Sequence, residues 1–386
     1  MYLLLLALIY LAFISLGLPD SLLGAAWPAM QPSLSVPLSY MGIISMIVCA
    51  GTVVASLLSE RLTTRFGTKY VTTASVLLSG VSLLGYAMSG AFWQLCVWSV
   101  PFGLAAGAID AALNNYVALH YNSRHMSWLH CFWGLGAIIS PYIMSGALTV
   151  GVWNDGYRIC AYIQIGIAAV LAATLWIWRV NKTPKEIEET TEVLGLKGAL
   201  RLRGVPSVLI AFFAYCAAEC TAFHWASSYL AEYRHIGTEL AAAFGALFFI
   251  GITAGRFLGG FISEKVGDRR MIRIGSAVIA VGLACMLLPI KSDVPALVGL
   301  VLLGFGCAPI YPCIIHDTPV RFGAKNAQGI IGIQMASAYI GSTFIPPLFG
   351  VAAKYLGIGV FPVYMLAFFG LMFVMTEKTM RSAKSK

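Results

Sequence analysis

The stretch "GLAAGAIDAALNNYVALHY", residues 103–121, sets Asp110, Asn114 and Asn115 into a segment that otherwise reads as soluble in hydrocarbon. Lipid offers no water to such side chains, and an unpaired polar group there is costly. Whether that cost applies depends on the rest of the chain. Of 386 residues, 59% are hydrophobic and only 11% are charged, and the mean hydropathy is +0.83. A soluble domain carries roughly 25% charged residues, so this composition cannot cover a surface that faces water. The segment is therefore read as a helix within a membrane.

Working outward from it, the apolar residues fall into twelve blocks: 2–30, 40–60, 70–89, 92–120, 127–150, 157–179, 206–231, 238–263, 271–290, 294–318, 327–354 and 357–376. Each reaches the about 20 residues that span a bilayer at a rise of about 1.5 Å. Only helices and closed barrels satisfy their backbone groups in lipid, and the alternation of barrel strands, about ten residues each, is absent. The expected class is an all-α integral membrane protein with twelve transmembrane helices. The opening "MYLLLLALIYLAFISLGL" has no basic n-region and no small-residue cleavage site, so it is read as the first span.

Positive charge sets the orientation. With the N-terminus inside, 20 of the 25 Lys and Arg fall on inner loops and the C-terminal tail, while Arg158, Arg234, Lys291 and Lys354 lie outside and Arg256 lies within the eighth span. That asymmetry predicts cytoplasmic N- and C-termini in a plasma membrane, the inner membrane of a bacterium. It also accounts for the net charge of +9, and no nucleic-acid partner is inferred. The nine cysteines all fall within spans, without CxxC pairs or metal-ligand spacing to His, so neither a metal nor a cofactor is expected. A hydrophilic linker over 180–205 carries four glutamates. It divides an N-terminal six-helix bundle (1–179) from a C-terminal one with a short cytoplasmic tail (206–386).

The halves echo each other. "TRFGTKY" (64–70) and "EKVGDRR" (264–270) stand 200 residues apart. His130 and Gln334 each precede a Gly by six or seven positions and a Pro by eleven or twelve. Such a repeat implies two pseudo-symmetric bundles with a binding site near the membrane midplane. On these features the chain resembles the major facilitator superfamily. Its loop signature is met by Gly260, Glu264, Lys265, Gly267, Arg269 and Arg270, whereas in the first half Thr64 stands where the acid belongs and Glu60 where the first Gly belongs. Asp110, Asn114, His130, Phe132, the pair Gly136–Ala137, and Asp20 in "LGLPDSLLG" are similar to the fucose:proton symporter group of sugar transporters. His130 stands where that group tends to have glutamine. The resemblance implies a transporter, not an enzyme, that works by alternating access.

The residues themselves support a site. Of sixteen acids, only Asp20, Asp110 and Glu219 lie deep within spans. A charge at the bilayer centre costs ~2.5–3.5 kcal/mol even on the mild insertion scale. Burial favours the neutral carboxyl, so these three are candidate proton carriers. Asp110 and Asn114 share a helical face, with Asn115 turned ~100° away; packing between helices is the alternative role for Asp110. Asn114, Asn115, His130 and Gln334 offer donors and acceptors for hydroxyls. Trp133, Trp225, Tyr311 and, as a further candidate, Trp27 offer flat faces for a sugar ring; interface aromatics are the alternative reading for Trp27 and Trp153. His224 follows Glu219 closely enough to join it. Arg65, Lys69, Arg256, Glu264 and Arg269 are the expected gating charges. No Lys or Arg is expected at the depth of the acids, which argues against an anionic substrate. The reading is a monomeric proton-coupled symporter of a neutral monosaccharide or polyol. Its rivals are a sodium-coupled sugar carrier and a proton-antiport efflux pump for lipophilic solutes.

Overall fold

The computed structural model describes residues 2–37, 40–179, 195–236, 238–290 and 292–382. Most of the linker (180–194) and Lys291 therefore lie outside the described residues. Among those described there is no strand. The helices are α1 (Tyr2–Gly17), α2 (Leu22–Ser33), α3 (Tyr40–Phe66), α4 (Thr68–Met88), α5 (Phe92–His120), α6 (Ser123–Val150), α7 (Trp153–Ala173) and α8 (Gly195–Arg201). They continue with α9 (Val205–Ser228), α10 (Thr238–Val266), α11 (Asp268–Leu287), α12 (Val294–Cys307), α13 (Ile310–Phe322), α14 (Ala324–Leu356) and α15 (Phe361–Ser382). Eleven stretches among the described residues are long and apolar enough to cross a membrane. The 29-residue α10 stands at the place of the eighth block.

Two elements differ from the apolar blocks for a physical reason. The first span is broken into α1 and α2 at Leu18–Ser21, because Pro19 supplies no backbone N–H. The tenth is broken into α12 and α13 around Pro309. Elsewhere helices run past their apolar blocks: α3 continues to Phe66 and α6 starts at Ser123. Hydropathy records the hydrocarbon layer, whereas helical hydrogen bonding continues into the polar interface.

The 200-residue repeat reappears in the backbone. Gly67 ends α3 and Gly267 ends α10, both at φ +82 with ψ near the extended range, a conformation that is essentially glycine's alone. The chain divides into two compact units. One holds Met1–His120, Leu129–Leu196 and Ala324–Ala336; the other holds Tyr121–Trp128, Lys197–Gly323 and Ser337–Lys386.

In lipid, helices gain little from hiding apolar surface, so close packing has to hold them. The opening stretch shows how. Gly103 and Gly107 form a small-xxx-small pair on α5, and a Cβ on either would lie 2.3 Å from the carbonyl oxygen of Val48 or Thr52 on α3. Thr52 Oγ1 in turn donates to the Gly103 carbonyl at 3.2 Å. One expectation is corrected here. Trp27 and Trp153 are not belt residues but sit in the core of the first unit, 2% and 5% exposed, packed with Leu22, Met30, Ile44 and Tyr157. Trp153 Nε1 donates to Ser33 Oγ at 2.8 Å, which satisfies the indole where the end of α2 meets the start of α7.

Candidate functional site

The first unit gathers most of the polar residues singled out in the sequence. On α5, one turn of helix places Asn114 over Asp110. Asn114 Nδ2 donates to Asp110 Oδ1 at 2.7 Å and to the Asp110 carbonyl at 2.9 Å. The amide oxygen of Asn114 then faces His130 Nε2 on α6 at 3.1 Å. That oxygen only accepts, so a proton on His130 Nε2 completes the contact. The edge of the His130 ring meets Phe13 of α1, with centroids 5.5 Å apart. Asp110, Asn114 and His130 are 4%, 0% and 5% exposed, so this carboxylate–amide–imidazole chain is enclosed by protein.

Asp20 is different. It lies in the break between α1 and α2 and is exposed. Its Oδ2 accepts from Trp133 Nε1 on α6 at 2.7 Å, and Asp110 lies within electrostatic range. The helices come this close because of two glycines. A Cβ on Gly17 would lie 2.0 Å from the Trp133 carbonyl oxygen, and one on Gly136 2.2 Å from that of Ile14. Trp133, expected to offer its ring face, presents its indole N–H to a carboxylate. Asn115 is buried at 7% exposure, and its Oδ1 has no hydrogen-bond partner among the described residues. A buried orphan acceptor beside this chain has unused capacity for a ligand hydroxyl.

The second unit holds a separate cluster. Arg256 of α10 donates to Glu219 Oε1 of α9 at 3.0 Å, with side chains 6% and 17% exposed. This overturns the expectation that no Lys or Arg lies at the depth of the acids. Arg256 sits 37 residues along the chain from Glu219, and block position alone does not reveal that they face each other. A buried guanidinium at this depth leaves an anionic substrate open. Tyr311 lies near Arg256 and packs on Phe212 and Tyr215 at 4.6 and 6.3 Å.

Other candidates stand apart. Trp225 Nε1 donates to the Pro346 carbonyl at 2.9 Å and its ring meets Phe349, so it braces α9 against α14. His224 is exposed, with Nδ1 on the Cys220 carbonyl at 2.7 Å. Gln334 is fully buried and belongs to the first unit's portion of α14.

Among the gating candidates, Glu264 accepts from Arg124 Nη2 at 2.9 Å and from Asn122 at 3.2 Å. Arg269 lies 3.8 Å from Asp317. Arg65 and Lys69 lie over the rings of Phe66 and Tyr70. Sequence reasoning passed over several partners here. Glu60, four residues before Thr64, is 4% exposed and accepts from the Gly195 N–H at 3.1 Å. A Cβ on Gly329 would lie 2.8 Å from its carboxylate. Ser123, Asp268 and His316 form a hydrogen-bonded set that no spacing rule announces.

Comparison with known proteins agrees with this architecture. The sequence model of the Major Facilitator Superfamily matches residues 9–346 and again 208–384. The "Membrane protein MosC" of Rhizobium meliloti is 25% identical over 358 residues, covering 90% of this chain and 84% of that protein. A "Hexuronate transporter" of Bacillus subtilis is 23% identical over 282 residues, covering 68% and 66%. The solved E. coli fucose:proton symporter superposes with a TM-score of 0.76 over 98% of this chain and 99% of that one, at 15% identity. The proton:xylose symporter XylE gives 0.78 over 97% and 94%, at 11% identity. At such identities the structural likeness is one of fold.

Proposed function

Because this chain belongs to the major facilitator superfamily, a family of multi-pass membrane transporters and not of enzymes, we propose that it is a proton-coupled symporter of a neutral monosaccharide or polyol. The observation that carries this reading is the enclosed Asp110–Asn114–His130 chain next to the open Asp20–Trp133 pair. An exposed carboxylate in a broken span takes a proton from water. The enclosed one is linked through an amide to an imidazole, and amide and imidazole are the groups that read hydroxyls. Protonation removes the cost of enclosing charge, which lets the loaded state close by alternating access. The protein works as a monomer, in a cytoplasmic membrane with both termini inside, as its positive charges favour.

A second reading has its own observation. The buried Arg256–Glu219 pair places a guanidinium where a carboxylate-bearing sugar would want one, and a relative is named for hexuronate. If Glu219 takes a proton, Arg256 is left to meet a substrate carboxylate. Counterflow in proteoliposomes with labelled neutral monosaccharides, uronates and a lipophilic cation, under pH or sodium gradients, separates these readings. Exchange of a neutral sugar with accumulation driven by pH supports the first. Exchange of uronates alone supports the second. Exchange of the lipophilic cation alone sinks both.

A further inference from the structure

His316 lies on α13 with its side chain 17% exposed. Its Nδ1 is 2.6 Å from Asp268 Oδ2, and its Nε2 is 3.0 Å from the carbonyl oxygen of Tyr121. A carboxylate and a carbonyl only accept. An imidazole with one proton can donate to one of them, and the other contact then sets two lone pairs face to face. With Asp268 ionised, only the imidazolium, with both ring protons, satisfies the two contacts together.

This ring belongs to a wider set. The second oxygen-bearing partner of Asp268 is Ser123 Oγ. Asn122 and Arg124 both reach Glu264. Tyr121, Asn122, Ser123 and Arg124 are thus four successive residues tied to Glu264, Asp268 and His316. They open the segment Tyr121–Trp128, which groups with the second unit although His120 and Leu129 on either side of it group with the first.

We propose that His316 is a proton-binding site separate from Asp20 and Asp110, and that its bound proton holds residues 121–128 in the second unit. The charges around it fit that role. Asp317, next to His316 on α13, is paired with Arg321 and approached by Arg269 of α11. Asp268 is left to take its positive charge from the imidazolium. Arg124 of α6 and Glu264 of α10 pair with each other beside it. His125 of α6 is a further imidazole near this set, and it faces Tyr121 and Trp128. As pH rises, His316 loses a proton, and either Asp268 or the Tyr121 carbonyl loses its donor. The regulatory meaning rests on the proposed topology and coupling. An acidified interior would keep the segment held and so slow further proton-driven uptake.

Hydrogen–deuterium exchange of the full-length protein in lipid nanodiscs tests this without substrate, so failure of the transport reading leaves the test standing. Rates at about pH 5.5 and about pH 8.5, either side of an ordinary imidazole, are corrected for intrinsic exchange with an unstructured peptide. Protection of residues 121–128, relative to residues 140–150, is expected to be about tenfold greater at the acid pH, as loss of one charge-assisted hydrogen bond implies. His316→Gln should abolish the difference, and His316→Arg, with two permanent donors, should keep protection at both pH values. Asp268→Asn should move the transition to lower pH, while His125→Gln should leave it in place. Equal relative protection at both pH values in the unaltered protein overturns the proposal, as does a response that survives His316→Gln or vanishes in His125→Gln.

Discussion

Asn114 serves two partners at once, giving its amide protons to Asp110 and its oxygen to His130. Asp110→Asn removes the titrating proton but keeps a similar shape. It should abolish accumulation driven by a pH gradient and leave counterflow substantially intact, as paired flux measurements would read. Loss of substrate binding at every pH would instead make Asp110 a ligand or a folding residue. Arg256 and Glu219 carry a second prediction. Removing one member of a buried ion pair strands the other, at a cost of about 3 kcal/mol. Glu219→Gln and Arg256→Met should each lower the thermal midpoint in detergent, and the double variant should recover part of the loss. Additive losses would mean that the two side chains do not act as a pair.

At the scale of elements, contact between α1 and α6 depends on having no side chain at two places. Gly136→Ala would put a methyl group 2.2 Å from the Ile14 carbonyl oxygen, so the helices must separate. Overpacking of this kind costs about 1–3 kcal/mol. The separation also pulls Trp133 from Asp20. A lower thermal midpoint together with a weaker apparent substrate affinity is expected. A change at Gly134 on the same helix, where a Cβ meets nothing within 4 Å, should leave both unchanged. The break between α1 and α2 was legible from Pro19 and Asp20 in the sequence. The partner of Asp20 was not, because Trp133 lies 113 residues away and its aromatic face suggested stacking more strongly than its N–H suggested a donor.

For the whole molecule, the asymmetry of positive charge makes a prediction about sidedness. In a background without the nine native cysteines, a cysteine introduced as Lys265→Cys should react with an impermeant thiol reagent only in inside-out vesicles. Labelling from the outer face of intact cells would reverse the proposed topology. The sequence by itself determined that this chain spans a membrane many times as helices, that it repeats after 200 residues, and that a few acids are set in apolar spans. These follow from local quantities: charge content, apolar run length, and the residues that punctuate the runs. Only the tertiary structure decided which polar residues meet. It joined Asp110, Asn114 and His130, gave Asp20 to Trp133, paired Glu219 with Arg256, and closed His316 between Asp268 and Tyr121. Apart from the single helical turn from Asp110 to Asn114, these contacts join residues on different helices or at their ends. Periodicity gives the face a residue occupies on its own helix, but which helix lies opposite that face depends on the packing of the fold.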